Sequence, residues 1–244
     1  MQGPSYIIAT METGAFASTL APLLAGIVST VTMVVLLRSR SLPLDTPNER
    51  SLHSRPVPRT GGIAIITGIF AAALWLGANS GLLVPAVAVA IVSEFDDRYT
   101  LSAAVRLLLH LLAAGVFLFL VMGNSRAAAL FVLLLVITWT TNLYNFMDGA
   151  DGLAGGMAVI GFGAYGWAAS LAGNHELEML AWSIAAATSG FLIFNFPPAK
   201  IFMGDVGSIP LGFLVGAIGV YGRQKEAWPL WFPVMVFAPF FVDA

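Results

Sequence analysis

Long apolar stretches alternate with short polar connections along most of the chain, and this pattern predicts helices. A helix needs about 20 mostly apolar residues to cross the hydrocarbon core of a bilayer. Nine segments approach this length: 16–37, 61–77, 82–95, 103–122, 127–143, 155–172, 178–194, 209–221 and 228–242. No sustained alternation of the kind seen in a β-barrel runs along the chain. The sequence therefore predicts an all-α, polytopic transmembrane helix bundle of about nine spans, with residues 1–244 as a single integral membrane domain.

Composition supports this prediction and removes several classes of function. Apolar residues make up 58% of the chain and charged residues only 10%, against about 45–50% and about 25% in ordinary soluble domains. This excludes a soluble globule and a disordered chain. The net charge of −2 predicts no nucleic-acid partner. Because the chain has no Cys, thiolate nucleophiles and thiolate metal sites are excluded.

Basic residues predict the orientation of the bundle, since cytoplasmic loops carry an excess of Lys and Arg. With the N-terminus outside, eight of the eleven basic residues fall in the loops around 38–60, 95–106, 144–155 and 195–208. These eight are Arg38, Arg40, Arg50, Arg55, Arg59, Arg98, Arg106 and Lys200. The sequence thus predicts an outside N-terminus and a cytoplasmic C-terminus after nine spans.

Acidic residues gather on the same predicted face in three clusters. Asp96 and Asp97 end the third predicted span, Asp148 and Asp151 lie in a glycine-rich segment after the fifth, and Asp205 precedes the eighth. A carboxylate at the centre of a membrane helix costs about 2.5–3.5 kcal/mol, so such groups tend to face a cavity or a partner. Each cluster alone is equally explained as a helix cap or a glycine-rich turn.

Taken together, the clusters favour a site that handles phosphate. Oxygen ligands without Cys or clustered His suit a hard cation such as Mg²⁺, which usually binds one or two carboxylates plus substrate phosphates. Arg55 and Arg59 in the first loop are placed to neutralise further phosphate charge. The predicted site lies at the cytoplasmic membrane interface.

Two other classes of membrane protein also use acidic residues. A transporter would carry acidic residues near mid-span and inverted repeats. Here the acidic residues gather on one face, and no repeat is evident. A CDP-alcohol phosphotransferase needs Ala-Arg after its Asp-Gly, and the run over 148–155 lacks it. The transporter therefore ranks well below a phosphate-handling enzyme, and the CDP-alcohol phosphotransferase lacks its signature.

The motifs resemble those of the polyprenyl-phosphate N-acetylhexosamine-1-phosphate transferases, glycosyltransferase family 4. The similarity rests on four segments in a fixed order: 45–62, the Asp96-Asp97 pair, 145–152 and 202–208. The first loop, with His53 and the run Pro56-Val-Pro-Arg-Thr-Gly-Gly, is closer to the GlcNAc-1-phosphate and O-antigen-initiating branch than to the MurNAc-pentapeptide branch.

The resemblance implies transfer of a sugar 1-phosphate from a UDP-sugar to undecaprenyl phosphate, with release of UMP, for cell-envelope polysaccharide or lipopolysaccharide O-antigen. It implies Mg²⁺, with Mn²⁺ as an alternative ion, at Asp205 and Asp97. Asp96 and Asp97 would be the essential acidic pair near the lipid phosphate and, with Asp205, the catalytic residues. The substrate-binding residues would be Asn145, Asp148, Asp151, Asn195, Phe202, His53, Arg55 and Arg59, with Phe202 near the uracil.

The same resemblance implies a plasma-membrane enzyme of bacteria whose active site faces the cytoplasm, with a homodimer as a candidate assembly. The C-terminal region departs from the family pattern. Members of the family continue into a His-rich cytoplasmic loop and at least one further span, and no residue of this chain matches that loop. We therefore expect a C-terminally truncated chain, and a non-catalytic homologue is the alternative to an active transferase.

Overall fold

The computed structural model describes residues 18–39, 42–47, 55–99, 101–123 and 127–243, apart from the side chain of Arg98. Most of these residues are helical. The longer helices are α1 (Ala21–Arg38), α2 (Gly62–Leu76), α3 (Ser80–Tyr99), α4 (Ala103–Met122), α5 (Ala127–Phe146), α6 (Leu153–Leu171), α7 (His175–Asn195) and α8 (Asp205–Gln224). Two short strands, β1 (Leu44–Asp45) and β2 (Val57–Pro58), precede α2, and two short helices, α9 (Trp231–Val236) and α10 (Ala238–Asp243), follow α8.

Five helices, α1, α4, α5, α7 and α8, are long and apolar enough to cross a membrane, and α2 is apolar but shorter. Their lengths of 18 to 21 residues match the thickness of a bilayer core. The prediction of a mostly helical, polytopic membrane protein is confirmed. The number of about nine spans and the outside N-terminus stay predictions.

Helix α8 forms the centre of the bundle, and it is buried from Val206 to Gly222. Its glycines allow the neighbouring α5 to come close. A Cβ on Gly212 would lie 2.7 Å from the carbonyl oxygen of Thr140, and one on Gly216 would lie 3.0 Å from the Cα of Ile137. Small residues permit this backbone approach between membrane helices. The end of α5 and the start of α8 are thereby brought together.

The first loop is fastened to the same end of α8. β1 and β2 pair antiparallel, with Asp45 opposite Val57. The segment after β2 then pairs with the segment before α8: Phe202 N–H donates to the Pro58 carbonyl (2.7 Å), and Gly61 N–H donates to the Phe202 carbonyl (2.9 Å). These bonds hold the first loop against the beginning of α8.

The segment predicted as a ninth span, 228–242, is not a continuous helix. It forms α9 and α10, six residues each, with a break at Phe237. Pro239 explains the break, because it has no N–H to bond the carbonyl four residues earlier and its ring clashes with that carbonyl. The aromatic side chains of this segment still pack inward: the Phe237 ring lies 5.6 Å from the Tyr165 ring, centroid to centroid.

Candidate active site

A cleft of about 1280 Å³ opens where the first loop, the end of α3, the ends of α5 and α7 and the start of α8 meet. Nine of the predicted site residues line it. They are Arg55, Arg59, Asp97, Asn145, Asp148, Asp151, Asn195, Phe202 and Asp205. Of the other two, His53 lies outside the described residues, and Asp96 lies behind the cleft wall. The fold thus brings together residues that lie far apart in the sequence.

Asp97 is held between the first loop and α8. Its carboxylate accepts the Val206 N–H at the beginning of α8, where the helix dipole favours an anion. The Arg59 guanidinium donates to the Asp97 backbone carbonyl at 2.7 Å and lies 3.8 Å from the carboxylate. Burial and, after it, the Asp205 carboxylate raise the pKa of Asp97 to about 6, and Arg59 opposes the rise.

Gly204 makes the close approach of these groups feasible. Its φ is +70°, in the left-handed region that favours glycine. A Cβ at this position would collide with the Arg59 carbonyl oxygen and lie 3.5 Å from Oδ2 of Asp97. Any other residue would push the first loop away from Asp97.

Asp96 points in a different direction from its neighbour. It is only 6% exposed, and its carboxylate accepts the Leu101 N–H (2.6 Å) and contacts Arg106 (3.2 Å). Both contacts lie at the α3–α4 junction. The predicted acidic pair is therefore divided, with Asp97 lining the cleft and Asp96 holding the helix junction behind it.

Asp205 is the first residue of α8, and the side chains of Asn145 and Arg106 lie against its carboxylate. The Asn145 amide hydrogen-bonds its carboxylate, and Nη1 of Arg106 lies 4.0 Å from Oδ2. The buried Ser208 hydroxyl donates to Oδ1 of Asn145 at 2.6 Å, which fixes the amide.

From the sequence, Arg106 was used only to predict the orientation of the bundle and not as a site residue, and Ser208 was not predicted at all. Each carries a signal: a cation in the first turn of a helix is unfavourable without a partner, and residues three apart share a helix face.

Asp148 and Asp151 lie on the loop between α5 and α6, and both are half-buried. Burial, and to a smaller extent the Asp205 carboxylate, raise the pKa of Asp148 well above its usual range. Asp151 accepts the Ala199 N–H at 2.8 Å and so ties its loop to the one after α7. Gly149 between them has open space at its Cβ position, which leaves room for a ligand.

Asn195, predicted to bind substrate, uses both ends of its amide on the backbone. Its Oδ1 accepts the Gly152 N–H (2.9 Å), and its Nδ2 donates to the Ile201 carbonyl (3.0 Å). The side chain is 5% exposed. It lines the cleft and joins the two loops that form the cleft wall.

The remaining predicted side chains sit at the cleft opening. Arg55 is exposed, and Phe202, within the paired segment before α8, is half-buried. Arg55 and Arg59 bring positive charge to a cleft that holds four carboxylate-bearing residues of the predicted set. This charge pattern suits an anionic ligand that also carries a metal ion.

The donor set decides whether a divalent metal fits. Within the described ranges, no group of three or more His, Cys, Asp or Glu side chains could hold a metal by itself. Asp97 and Asp205 nevertheless face the same cleft. Two carboxylates completed by substrate phosphates and water are the usual arrangement for Mg²⁺. The residues fit Mg²⁺ bound together with a phosphate substrate.

Comparison with known proteins gives the family. The model of "Glycosyl transferase family 4" matches residues 79–223, which include the ends of α3, α5 and α7 and α8 as far as Arg223. A "probable undecaprenyl-phosphate N-acetylglucosaminyl 1-phosphate transferase" of Bacillus subtilis (strain 168) is 33% identical over 204 residues, 75% of this chain and 56% of that protein.

Two further relatives are phospho-N-acetylmuramoyl-pentapeptide-transferases. That of Geobacillus thermodenitrificans is 29% identical over 200 residues, 69% of this chain and 62% of that protein. That of Streptococcus pyogenes serotype M6 is 38% identical over 125 residues, 50% of this chain and 37% of that protein. The chain thus spans about half the length of the curated relatives it matches. Because the family model covers more than half of the chain, the resemblance seen in the motifs is confirmed, and the chain belongs to glycosyl transferase family 4.

Proposed function

We propose that this protein transfers an N-acetylhexosamine 1-phosphate from a UDP-sugar to undecaprenyl phosphate, with release of UMP. One observation carries the proposal: Asp97, Asn145 and Asp205, from three different helices, meet in one cleft at one end of an apolar bundle. The acceptor needs this placement, because its hydrocarbon tail stays in the bilayer while its phosphate has to meet a soluble nucleotide. The N-acetylglucosaminyl name of the Bacillus subtilis relative supports the UDP-GlcNAc branch.

In the proposed reaction, an oxygen of the lipid phosphate attacks the β-phosphorus of the UDP-sugar. One phosphorus–oxygen bond forms, the bond from the β-phosphorus to the bridging oxygen breaks, and UMP leaves with that oxygen. Both reactants are anions, so their repulsion is the first obstacle. Arg55 and Arg59 reduce it at the cleft opening, and positioning and electrostatics supply most of the rate.

Asp97 and Asp205 would hold the metal ion. Mg²⁺ supplies charge neutralisation on the diphosphate and on the departing UMP. Asn145 orients Asp205, and Gly204 lets Arg59 remain beside Asp97. Asp148 and the open space at Gly149 form the wall along which the nucleotide sugar would lie, and Asn195 joins that wall to the loop before Phe202.

The location of these groups also bears on the alternatives. A transporter would place its acids near mid-span, whereas Asp97 and Asp205 lie at helix ends. We place the cleft at the cytoplasmic face of a bacterial plasma membrane, where the basic residues of the loops accumulate. A homodimer stays a prediction, and so does a non-catalytic role for this chain.

The test is UMP release by the purified 244-residue chain in nanodiscs, with undecaprenyl phosphate, Mg²⁺ and a panel of UDP-sugars. We expect release with UDP-GlcNAc or a close analogue, loss on chelation by EDTA and loss in Asp205→Asn. The matched control is Asp243→Asn, an exposed aspartate in α10, which should behave as wild type. Calorimetry of UDP-GlcNAc binding gives a second readout. A wild-type chain that neither binds UDP-sugars nor releases UMP would overturn the proposal.

A further inference from the structure

Arg106 contacts carboxylates from two other helices at the back of the cleft. It lies in the first turn of α4, and its Nη1 is 3.2 Å from Oδ2 of Asp96 and 4.0 Å from Oδ2 of Asp205. Asp96 belongs to α3 and Asp205 to α8. One guanidinium nitrogen therefore links three helices.

This cation stands in an unfavourable place. The N-terminus of a helix carries a partial positive charge, which repels a basic side chain in its first turn. Asp96, for its part, is almost fully buried, and a buried carboxylate is costly without a partner. The contact between the two compensates both costs. Arg106 itself is 39% exposed at the side chain, and it lies beside Asp205, which lines the cleft.

The two carboxylates differ in what else they contact. Asp96 also accepts the Leu101 N–H, so protein groups satisfy it on both sides. Asp205 faces the cleft, where its oxygens are within reach of a ligand. The charge of Arg106 is therefore shared between an acid that is fully engaged and an acid that is open to a metal ion.

We propose that Arg106 is a resident positioning cation: it fixes Asp96 and Asp205 at their present spacing and, by its charge, weakens the binding of a divalent metal at Asp205. The part that concerns turnover rests on the proposed function, whereas the part that concerns metal binding does not. Removing the charge should have two opposite effects. The site should attract a divalent cation more strongly, because a repelling charge is gone. Turnover should fall, because Asp96 and Asp205 lose their common partner.

The first experiment measures Mn²⁺ binding by electron paramagnetic resonance, on the detergent-solubilised chain without substrates. We expect Arg106→Gln to bind Mn²⁺ roughly fivefold more tightly than wild type, since a half-exposed charge acts through a partly screened medium. Arg106→Lys should stay within about twofold of wild type. Arg223→Gln, an exposed arginine at the other end of α8, is the matched control. In an Asp205→Asn background the gain from Arg106→Gln should vanish.

Unchanged or weaker Mn²⁺ binding by Arg106→Gln would overturn the inference, and so would the absence of Mn²⁺ binding by wild type. The second experiment measures kcat for UMP release at saturating Mg²⁺. We expect a fall of about tenfold in Arg106→Gln and substantial recovery in Arg106→Lys. A kcat equal to wild type in Arg106→Gln would overturn the positioning role. Failure of the proposed function appears separately: Mn²⁺ binding is tighter in Arg106→Gln as expected, but the wild-type chain releases no UMP.

Discussion

The back of the cleft and its open side use the same residue type for different purposes. Asp96 and Asp97 are adjacent in the sequence, yet Asp96 is enclosed by the α3–α4 junction and Asp97 lines the cleft. Asp96 is satisfied by Leu101 and Arg106, whereas Asp97 is held by Arg59 and by the Val206 N–H at the start of α8. An acidic pair that looks like one functional unit is thus divided between a scaffold and a site.

The difference follows from helix geometry. Consecutive residues of a helix point about 100° apart, so two neighbouring side chains at a helix end seldom face the same space. Close packing of α8 on α5 and of the first loop on α8 decides which of the two directions is a cavity. We therefore propose that Asp97 contacts the substrate and the metal, and that Asp96 supports the neighbouring helices.

Asp97→Asn should give the largest effect on activity. The substitution removes the negative charge that faces the cleft and leaves the shape almost unchanged. We expect UMP release to fall roughly 10²–10³-fold, the usual size for loss of one electrostatic contact to a transition state. Initial rates in nanodiscs at saturating Mg²⁺ measure it. Wild-type activity in this variant would move the catalytic role away from the cleft side of the pair.

Asp96→Asn should have a smaller effect on activity. The amide oxygen can still accept the Leu101 N–H, but the charge that holds Arg106 is gone. We expect kcat to fall about tenfold, together with a lower melting temperature in detergent, because Arg106 then faces its helix N-terminus with less compensation. An Asp96→Asn variant as inactive as Asp97→Asn, yet equally stable as wild type, would place both acids in the chemistry and contradict the comparison.

Residue type and grouping were enough to predict most of the cleft. Asp97, Asp148 and Asp205 stand out because carboxylates are rare in an apolar chain and need a cavity or a partner. The direction of Asp96 was not predictable, since it depends on where α4 begins in space. The contact between Arg106 and Asp205 likewise arises only when α4 and α8 come together, and the sequence separates them by almost a hundred residues.

The fold was predictable to a similar degree. Apolar length alone gave the long helices, including α4 over the same residues as predicted. The break at Phe237 could have been predicted from Pro239, a residue that ends or kinks helices. The β1–β2 pair could not have been predicted, because strands of two residues have no periodicity of their own. These strands form because tertiary contacts hold the first loop against the segment before α8.

Asn195→Ala tests the wall of the cleft that the loops after α5 and α7 form. The substitution leaves the Gly152 N–H and the Ile201 carbonyl without their partners, which costs about 1–3 kcal/mol. We expect a lower melting temperature and a KM for the UDP-sugar several-fold above wild type, with a smaller change in kcat. Asn195→Asp can accept from the Gly152 N–H but cannot donate to the Ile201 carbonyl. Its melting temperature and KM should lie between those of wild type and Asn195→Ala. Loss of nucleotide binding with an unchanged melting temperature would instead make Asn195 a direct substrate contact.

The smallest effect concerns pH and distinguishes the two acids without any catalysis. The folded chain raises the pKa of Asp97 from 3.8 to about 6, so folding favours its protonated form. Its contribution to stability is therefore full below about pH 4 and is lost as the pH rises through 6. In metal-free buffer with EDTA, wild type should gain ~1.4 kcal/mol of unfolding free energy between pH 7.5 and pH 5 relative to Asp97→Asn. Groups common to both chains cancel in this difference, which melting curves at each pH measure. A difference that stays constant with pH, or that moves in the opposite direction, would show that Asp97 is stabilised as a carboxylate and belongs with Asp96 in the scaffold.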